Sequence, residues 1–312
     1  MLQLLSHGVD YWWILCAMGI SVFSHISRAA RWRIQLDALG IKPPFMAICC
    51  SIFGCYALNL VFPRLGELWR CTYISHRQKG SFPSVFGSML ADRISDTIMV
   101  CGLIVLTLIV ASPAIRIFLD KYPLGRDFIS LISQGWFWTA IIGGIILAGF
   151  SLYLLRHHPF MVRLKEIFLN MWKGFIIILH MKGRIKFIFL TFAIWGCYFI
   201  QLYVAFYAFG FTRALCSEPG TAVGLVPCLV AFVLSSISMA IPSNGGLGPW
   251  NIAIMFALSI YGVSDDEGAA FSILQWGGQT VMLILLGIFT MVYISLGKEG
   301  RQGEEKLEGI KN

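Results

Sequence analysis

The stretch 43-PPFMAICCSIFGCYALNLVFPRLGELWR-70 decides how the chain can fold. From Pro43 to Pro63 it contains no Asp, Glu, Lys or Arg, and it then delivers Arg64, Glu67 and Arg70 in quick succession. About 20 apolar residues are one bilayer crossing. Yet Arg28, Arg31, Arg33 and Lys42 precede the stretch, and Arg64 to Arg93 follows it with further basic residues. Basic segments favour the cytoplasmic side, so both flanks belong on one side. A segment with both ends on one side cannot cross once. It has to enter and return as a hairpin, broken at Pro63-Arg64-Leu65-Gly66, with a charged return leg.

The same uncharged character recurs along the chain, over 11–27, 97–115, 128–155, 187–212, 219–264 and 268–297. The whole sequence of 312 residues is 57% hydrophobic and 13% charged. Soluble domains are about 45–50% apolar and about 25% charged, so the chain is a polytopic membrane protein. Ten Trp and ten Tyr, several at the ends of these stretches, suit interfacial anchoring. The net charge of +8 does not point to nucleic acid. All the Lys and Arg except Arg116, Lys121, Arg126 and Arg213 fall on one side of the topology, as in a membrane protein. The most basic connection, 156–186, anchors that side as cytoplasmic.

A second hairpin follows from 219–264, which is interrupted by Pro242-Ser243-Asn244-Gly245-Gly246-Leu247-Gly248-Pro249. Three glycines and two prolines in eight residues stop a helix. The leg after the break, 250–264, would reach only about 22 Å. The chain therefore reads as helix–hairpin–helix twice: 10–27, the Pro43 hairpin and 94–115, then 187–212, the Pro219 hairpin and 268–297. Helix 128–155 lies between the units and gives them opposite orientation. Both breaks carry P-x-x-G. Inverted repeats with broken helices are typical of transporters, whose substrates bind near mid-membrane where the breaks meet. The competing reading is a bundle with two ordinary surface turns. Pro63, Gly66, Pro242, Gly245, Gly246, Gly248 and Pro249 are the structural break residues.

Arg64, Glu67 and Arg70 are spaced to share one helical face, and ionisable groups within a membrane segment suggest function. Two guanidiniums beside one carboxylate would suit a phosphate headgroup. Alternatively, the two arginines only mark a cytoplasmic surface. Asp92, Arg93 and Asp96 read as the start of the next helix. There the carboxylates either complement the macrodipole or pair with Arg64 or Arg70. Arg28, Arg31 and Arg33 end the first helix, as snorkelling side chains or as substrate-capturing ones. Asn59, Ser243 and Asn244 adjoin the breaks, where they could bond freed backbone or a ligand. Gln275 and Gln279 face a cavity or bridge helices.

The nine cysteines show no paired or metal-binding spacing, and the six His are scattered. Nucleotide loops, H-E-x-x-H and G-x-S-x-G are absent, so neither cofactor nor metal is expected. Rival functions stay open: a membrane-embedded glycosyl or headgroup transferase using Glu67, Asp92 or Asp96 as base, or a non-catalytic partner in an envelope-lipid synthesis complex.

Taken in order, several motifs resemble the lysylphosphatidylglycerol synthase transmembrane, flippase-like family. They are Arg28-Ala-Ala-Arg-Trp-Arg33, Gly54-Cys-Tyr-Ala-Leu-Asn59, Pro63-Arg-Leu-Gly-Glu67 with Arg70, Asp92-Arg93 with Asp96, and Pro242-Ser-Asn-Gly-Gly-Leu-Gly248. The resemblance covers nearly the whole chain. It implies a bacterial inner-membrane protein that moves a lipid or polyprenyl-linked substrate between leaflets. The best-known relatives carry a cytoplasmic aminoacyl-transferase domain; none is expected here, so synthase activity is not implied. The chain departs from the family pattern in two places: a helix expected before the one that ends in the Arg-Trp motif, and Gly248-Pro-Trp where an apolar pair and often a Glu are expected.

The expectation is an all-α integral membrane protein, a polytopic bundle with inverted repeats and two re-entrant or broken hairpins. Residues 1–297 form the transmembrane domain, and 298–312 form a polar, frayed cytoplasmic tail. The expected substrate is an anionic phospholipid or polyprenyl phosphate, held by Arg31, Asn59, Arg64, Glu67, Arg70, Asp92, Arg93, Asp96, Ser243 and Asn244. The partners expected are the lipid headgroup and a cytoplasmic lipid-modifying enzyme, with no nucleic acid. A homo-oligomer is compatible with the sequence.

Overall fold

The computed structural model describes residues 8–78, 80–112, 183–217 and 222–311, with 134, 135, 139, 142, 143, 169 and 181. Most of the proposed helix 128–155 and of the basic connection 156–186 lies outside the described residues. Nine α-helices are described: α1 Tyr11–Ala38, α2 Phe45–Asn59, α3 Leu65–Arg77, α4 Phe82–Val110, α5 Arg184–Phe206, α6 Gly210–Leu215, α7 Leu225–Ser238, α8 Pro249–Ser259 and α9 Asp265–Lys311. A 3-10 turn, Asn244–Gly246, joins α7 to α8.

Four of these helices, α1, α4, α5 and the Asp265–Gly297 part of α9, are long and apolar enough to cross a membrane. Their outward faces are apolar: Ile98 and Ile109 on α4, Phe189 and Phe192 on α5, and Met291 on α9 are all exposed. The interior holds Ser21, Ser24, His25, Arg28, Arg31, Arg70, Asp92 and Gln275. Apolar groups need no shelter from lipid, whereas polar groups must find partners within the protein. The rest of the interior is apolar, so what sets the bundle apart from a soluble one is an apolar outer surface around an internal polar layer.

The hairpins are α2–α3 and α7–α8, and α9 serves as a ruler for both. Thr290 donates to the Cys50 carbonyl at 3.3 Å, and a methyl added at Gly287 would meet Ala57. Going up α2 therefore means going back along α9. From the other end, Gly268 abuts Met255 of α8, and the Trp276 indole donates to the Gly245 carbonyl at 3.0 Å. The hairpins enter from opposite ends of α9. Their tips are confined between Trp276 and Gly287, roughly 16 Å in the middle of a span of about 50 Å.

One face of the bundle is basic. There Gly80 approaches Ile41 and Gly183 approaches Ile34, while Arg33 lies over the Phe45 ring. At the other face, the Asp10 amide donates to the Ala208 carbonyl at 2.9 Å, closing the start of α1 against the end of α5.

Several helix boundaries move from the expected positions. The first helix continues past Ser27 to Ala38, because Arg28 and Arg31 find internal partners and do not have to end it. Likewise α4 begins at Phe82 and not near Asp92. Pro83 lies in its first turn and Ser81 precedes it, a favoured start. Stretch 187–212 breaks at Tyr207-Ala208, and α6 follows. Asp265, Asp266 and Glu267 form the first turn of α9. Glu267 folds back on the start of α9, accepting from the Ser264 amide at 3.2 Å and hydroxyl at 2.7 Å. The tail expected to fray is helical to Lys311. Gln279 takes the bridging role, donating to Ser21 at 2.7 Å and accepting from Gln201 at 2.9 Å.

Candidate functional site

Two polar groups, one behind the other, occupy the region between the hairpin tips and the α1–α4 contact. The inner one is a buried ionic layer. Arg28 and Arg31 lie one turn apart on α1, Asp92 and Asp96 one turn apart on α4, so two helix faces of opposite charge are matched. Arg28 Nη1 reaches Asp92 at 3.3 Å and Asp96 at 2.8 Å. Arg31 Nη2 reaches Asp92 at 2.7 Å and Asp96 at 2.8 Å. From α5, Tyr198 accepts from Arg28 at 3.2 Å and Thr191 accepts from Arg31 at 3.1 Å. The Trp195 indole donates to Asp96 at 3.4 Å.

Arg70 enters this layer from α3. It is completely buried, stacks 4.6 Å above the Trp32 ring and lies 3.7 Å from Asp92. Its Nε, Nη1 and Nη2 have no hydrogen-bond partner among the described residues. The layer thus sets three guanidiniums against two carboxylates. Removing one member of a buried ion-pair group costs about 3–5 kcal/mol, because its partner stays buried and uncompensated.

The outer group belongs to the tips. Arg64 is the last residue before α3 and adopts a left-handed conformation, φ 65°. Its Nη2 donates to the Ala240 carbonyl at 2.7 Å, across to the other hairpin. Next to it, Asn59 acts in both directions. Its Oδ1 accepts from the Gly66 amide at 2.8 Å and its Nδ2 donates to Glu67 at 3.2 Å. Glu67 in turn accepts from Arg93 at 3.2 Å. Gly66 is required, since a Cβ would collide with the Cys55 carbonyl oxygen of α2. On the opposite tip Gly245 has φ 58°, and a Cβ there would stand 2.5 Å from Leu60 Cδ2. The tips are in direct contact.

The layer is closed to solvent, and the tips are open. Val61, Phe62, Leu65, Ile241 and Leu247 are exposed, as are Pro63, Arg64, Pro242 and Asn244. Unwound backbone at membrane depth is tolerated where it is buried in protein or lines a wet cavity. An exposed guanidinium at that depth demands the same.

A family model described as lysylphosphatidylglycerol synthase TM region matches residues 2–287. The chain belongs to this family. No curated protein and no solved structure matches the chain significantly.

With the lysylphosphatidylglycerol synthase transmembrane family assigned, the candidate residues divide into two sets. Arg31, Arg70, Asp92 and Asp96 are in the buried layer; Asn59, Arg64, Glu67 and Arg93 are at the tips. Arg64, Glu67 and Arg70 do not share one helical face. Arg64 precedes the helix, and the three side chains take three different partners. Arg28 and Arg31 do not snorkel, and only Arg33 is exposed, 3.9 Å from Asp37. Asp92 and Asp96 do not cap a helix start, since α4 begins three turns earlier. They pair with Arg28, Arg31 and Arg70, but not with Arg64. Ser243 is half-buried and donates to the Ile241 carbonyl at 3.4 Å, while Asn244 is exposed at the tip. Nothing in the sequence pointed to Thr191, Trp195 and Tyr198. The pairing of Arg28 with Asp92 and Asp96 was signalled only by the matched spacings of Arg28/Arg31 and Asp92/Asp96.

Proposed function

We infer that the protein transfers an anionic phospholipid or polyprenyl-phosphate-linked substrate between the leaflets of a bacterial cytoplasmic membrane. The observation that carries this reading is the meeting of two oppositely inserted hairpins at mid-depth, with Arg64 exposed at their junction. A headgroup crossing the bilayer needs polar donors midway, where lipid offers none. Arg64 uses one nitrogen on Ala240 and keeps its other donors for a phosphate. Arg93 and Asn59, bridged by Glu67, supply further polar contacts beside it. The buried layer behind them holds α1, α3 and α4 rigid, so that movement is concentrated at the tips.

Family membership supports a lipid-related membrane role, and the charge distribution favours a cytoplasmic C-terminus. A cytoplasmic lipid-modifying enzyme would supply the substrate. The rival glycosyl- or headgroup-transferase reading would need Glu67, Asp92 or Asp96 as its base, and each of the three is ion-paired with an arginine.

The test is reconstitution in liposomes made from the source membrane's lipids, following both leaflet position and lipid chemistry. Leaflet transfer without chemical change, lost in an Arg64→Ala, Glu67→Ala double variant, supports the transporter. New lipid product without leaflet transfer would overturn it in favour of a transferase.

A further inference from the structure

On the basic face, a cavity of about 520 Å³ is lined by Ala30, Arg33, Ile34 and Asp37 of α1, Phe45 of α2 and Lys186 of α5. The four α1 residues follow i, i+3, i+4, i+7 spacing and form one face. The volume falls within the range of about 300–1,000 Å³ usual for small-molecule pockets. Phe45 is at the entry of the first hairpin, about 21 Å of helix from Asn59 at its tip. The cavity is therefore separate from the mid-depth site.

Its lining is divided by chemistry. Ala30, Ile34 and Phe45 form an apolar wall. Arg33 and Lys186 supply two cations and Asp37 one carboxylate, leaving one net positive charge. Arg33 is held in place by Asp37 at 3.9 Å and by the Phe45 ring at 5.9 Å. The flanking residues distinguish a lipid from a soluble anion. Met46, next to Phe45, and Ile185, next to Lys186, are large, apolar and exposed. They offer acyl chains a surface on either side of the charged pair.

We propose that this cavity docks an anionic phospholipid of the basic-side leaflet, its single phosphodiester charge met by Arg33 and Lys186. Asp37 sets the selectivity by cancelling one cation, so the cavity matches a monoanionic headgroup. The site holds its lipid whether or not the tips transfer one, and it is independent of the function proposed above.

The test uses the purified full-length protein in detergent, titrated with phosphatidylglycerol or zwitterionic phosphatidylcholine and read by native mass spectrometry. Wild type should retain a phosphatidylglycerol about fivefold more tightly than phosphatidylcholine, since each basic side chain near the headgroup contributes about fivefold and Asp37 cancels one of the two. Arg33→Gln with Lys186→Gln should remove that preference and leave phosphatidylglycerol bound about 30-fold more weakly than by wild type. Both side chains are exposed, so the fold should survive, as a thermal scan will verify. Asp37→Asn should strengthen binding about fivefold. The Arg33 and Lys186 variants leave Arg64 and the tips untouched, so a lipid lost in them is one held at this cavity. An unchanged preference in the double variant, or no preference in wild type, overturns the proposal. Displacement of the lipid by an equal concentration of glycerol 1-phosphate also overturns it, in favour of a free-anion site.

Discussion

Arg64 Nη2 donates to the main-chain carbonyl of Ala240 at 2.7 Å, and this bond ties together two hairpins that enter the bundle from opposite ends. Residues on the two sides of the bond are separated by the whole of α3 to α7, yet each lies where its own hairpin is unwound. Ala240 lies just past the end of α7 and its cap Met239, in the unwound segment before the Pro242 break. Arg64 therefore serves two needs, closing the tips and presenting a cation at mid-depth.

The left-handed φ of Arg64 costs an L-residue roughly 1–2 kcal/mol. Arg64→Gly removes that strain together with the bond to Ala240, whose net worth is of similar size at about 1.5–3 kcal/mol. Thermal unfolding in detergent should shift by only a few degrees. Lipid transfer should fall at least about tenfold.

The buried layer behaves in the opposite way. Asp92→Asn leaves Arg28, Arg31 and Arg70 facing a single remaining carboxylate and should destabilise by about 3–5 kcal/mol. Arg70→Gln, which removes the excess cation, should cost less. The double variant should be more stable than the sum of the two losses implies, and a double-mutant cycle from chemical denaturation measures the coupling.

Contact between the tips can be tested sterically. Gly245→Ala places a methyl against Leu60 at a positive φ, and overpacking of this kind costs about 1–3 kcal/mol. Leu60→Ala makes room for it. Gly245→Ala with Leu60→Ala should recover part of the stability lost by Gly245→Ala alone, which would not happen if the tips were apart.

Gly66→Ala has no such remedy, because the obstacle is the Cys55 main-chain carbonyl. It should separate α3 from α2 and draw Arg70 away from Asp92. Loss of purified monomer by size-exclusion chromatography is the expected outcome, with no rescue by truncating a side chain.

The membrane class, the two hairpins and their opposite entry were legible in the sequence, because charge and its absence report directly on depth. The uncharged run 43–63 between basic flanks pointed to a hairpin. Helix ends were less legible, for a physical reason. Arg28, Arg31, Asp92 and Asp96 look like surface charges when taken singly, and such charges normally mark a boundary. Here they neutralise one another inside the bundle, and α1 and α4 continue through them. Pairing across segments more than sixty residues apart depends on tertiary register, to which local spacing gives only a hint. The partition of Arg64, Glu67 and Arg70 was hidden likewise. Their spacing implies one face only if all three are helical, and the left-handed backbone at Arg64 removes the first of them.

Leaflet transfer of a headgroup-labelled anionic phospholipid in liposomes, compared between wild type and Arg64→Gly, tests the central claim most directly. Wild type should move the label well above empty liposomes, and Arg64→Gly, although folded, should fall to near their level. Equal transfer by the two proteins would contradict a role for the tip guanidinium, and no transfer by wild type would contradict the transporter itself.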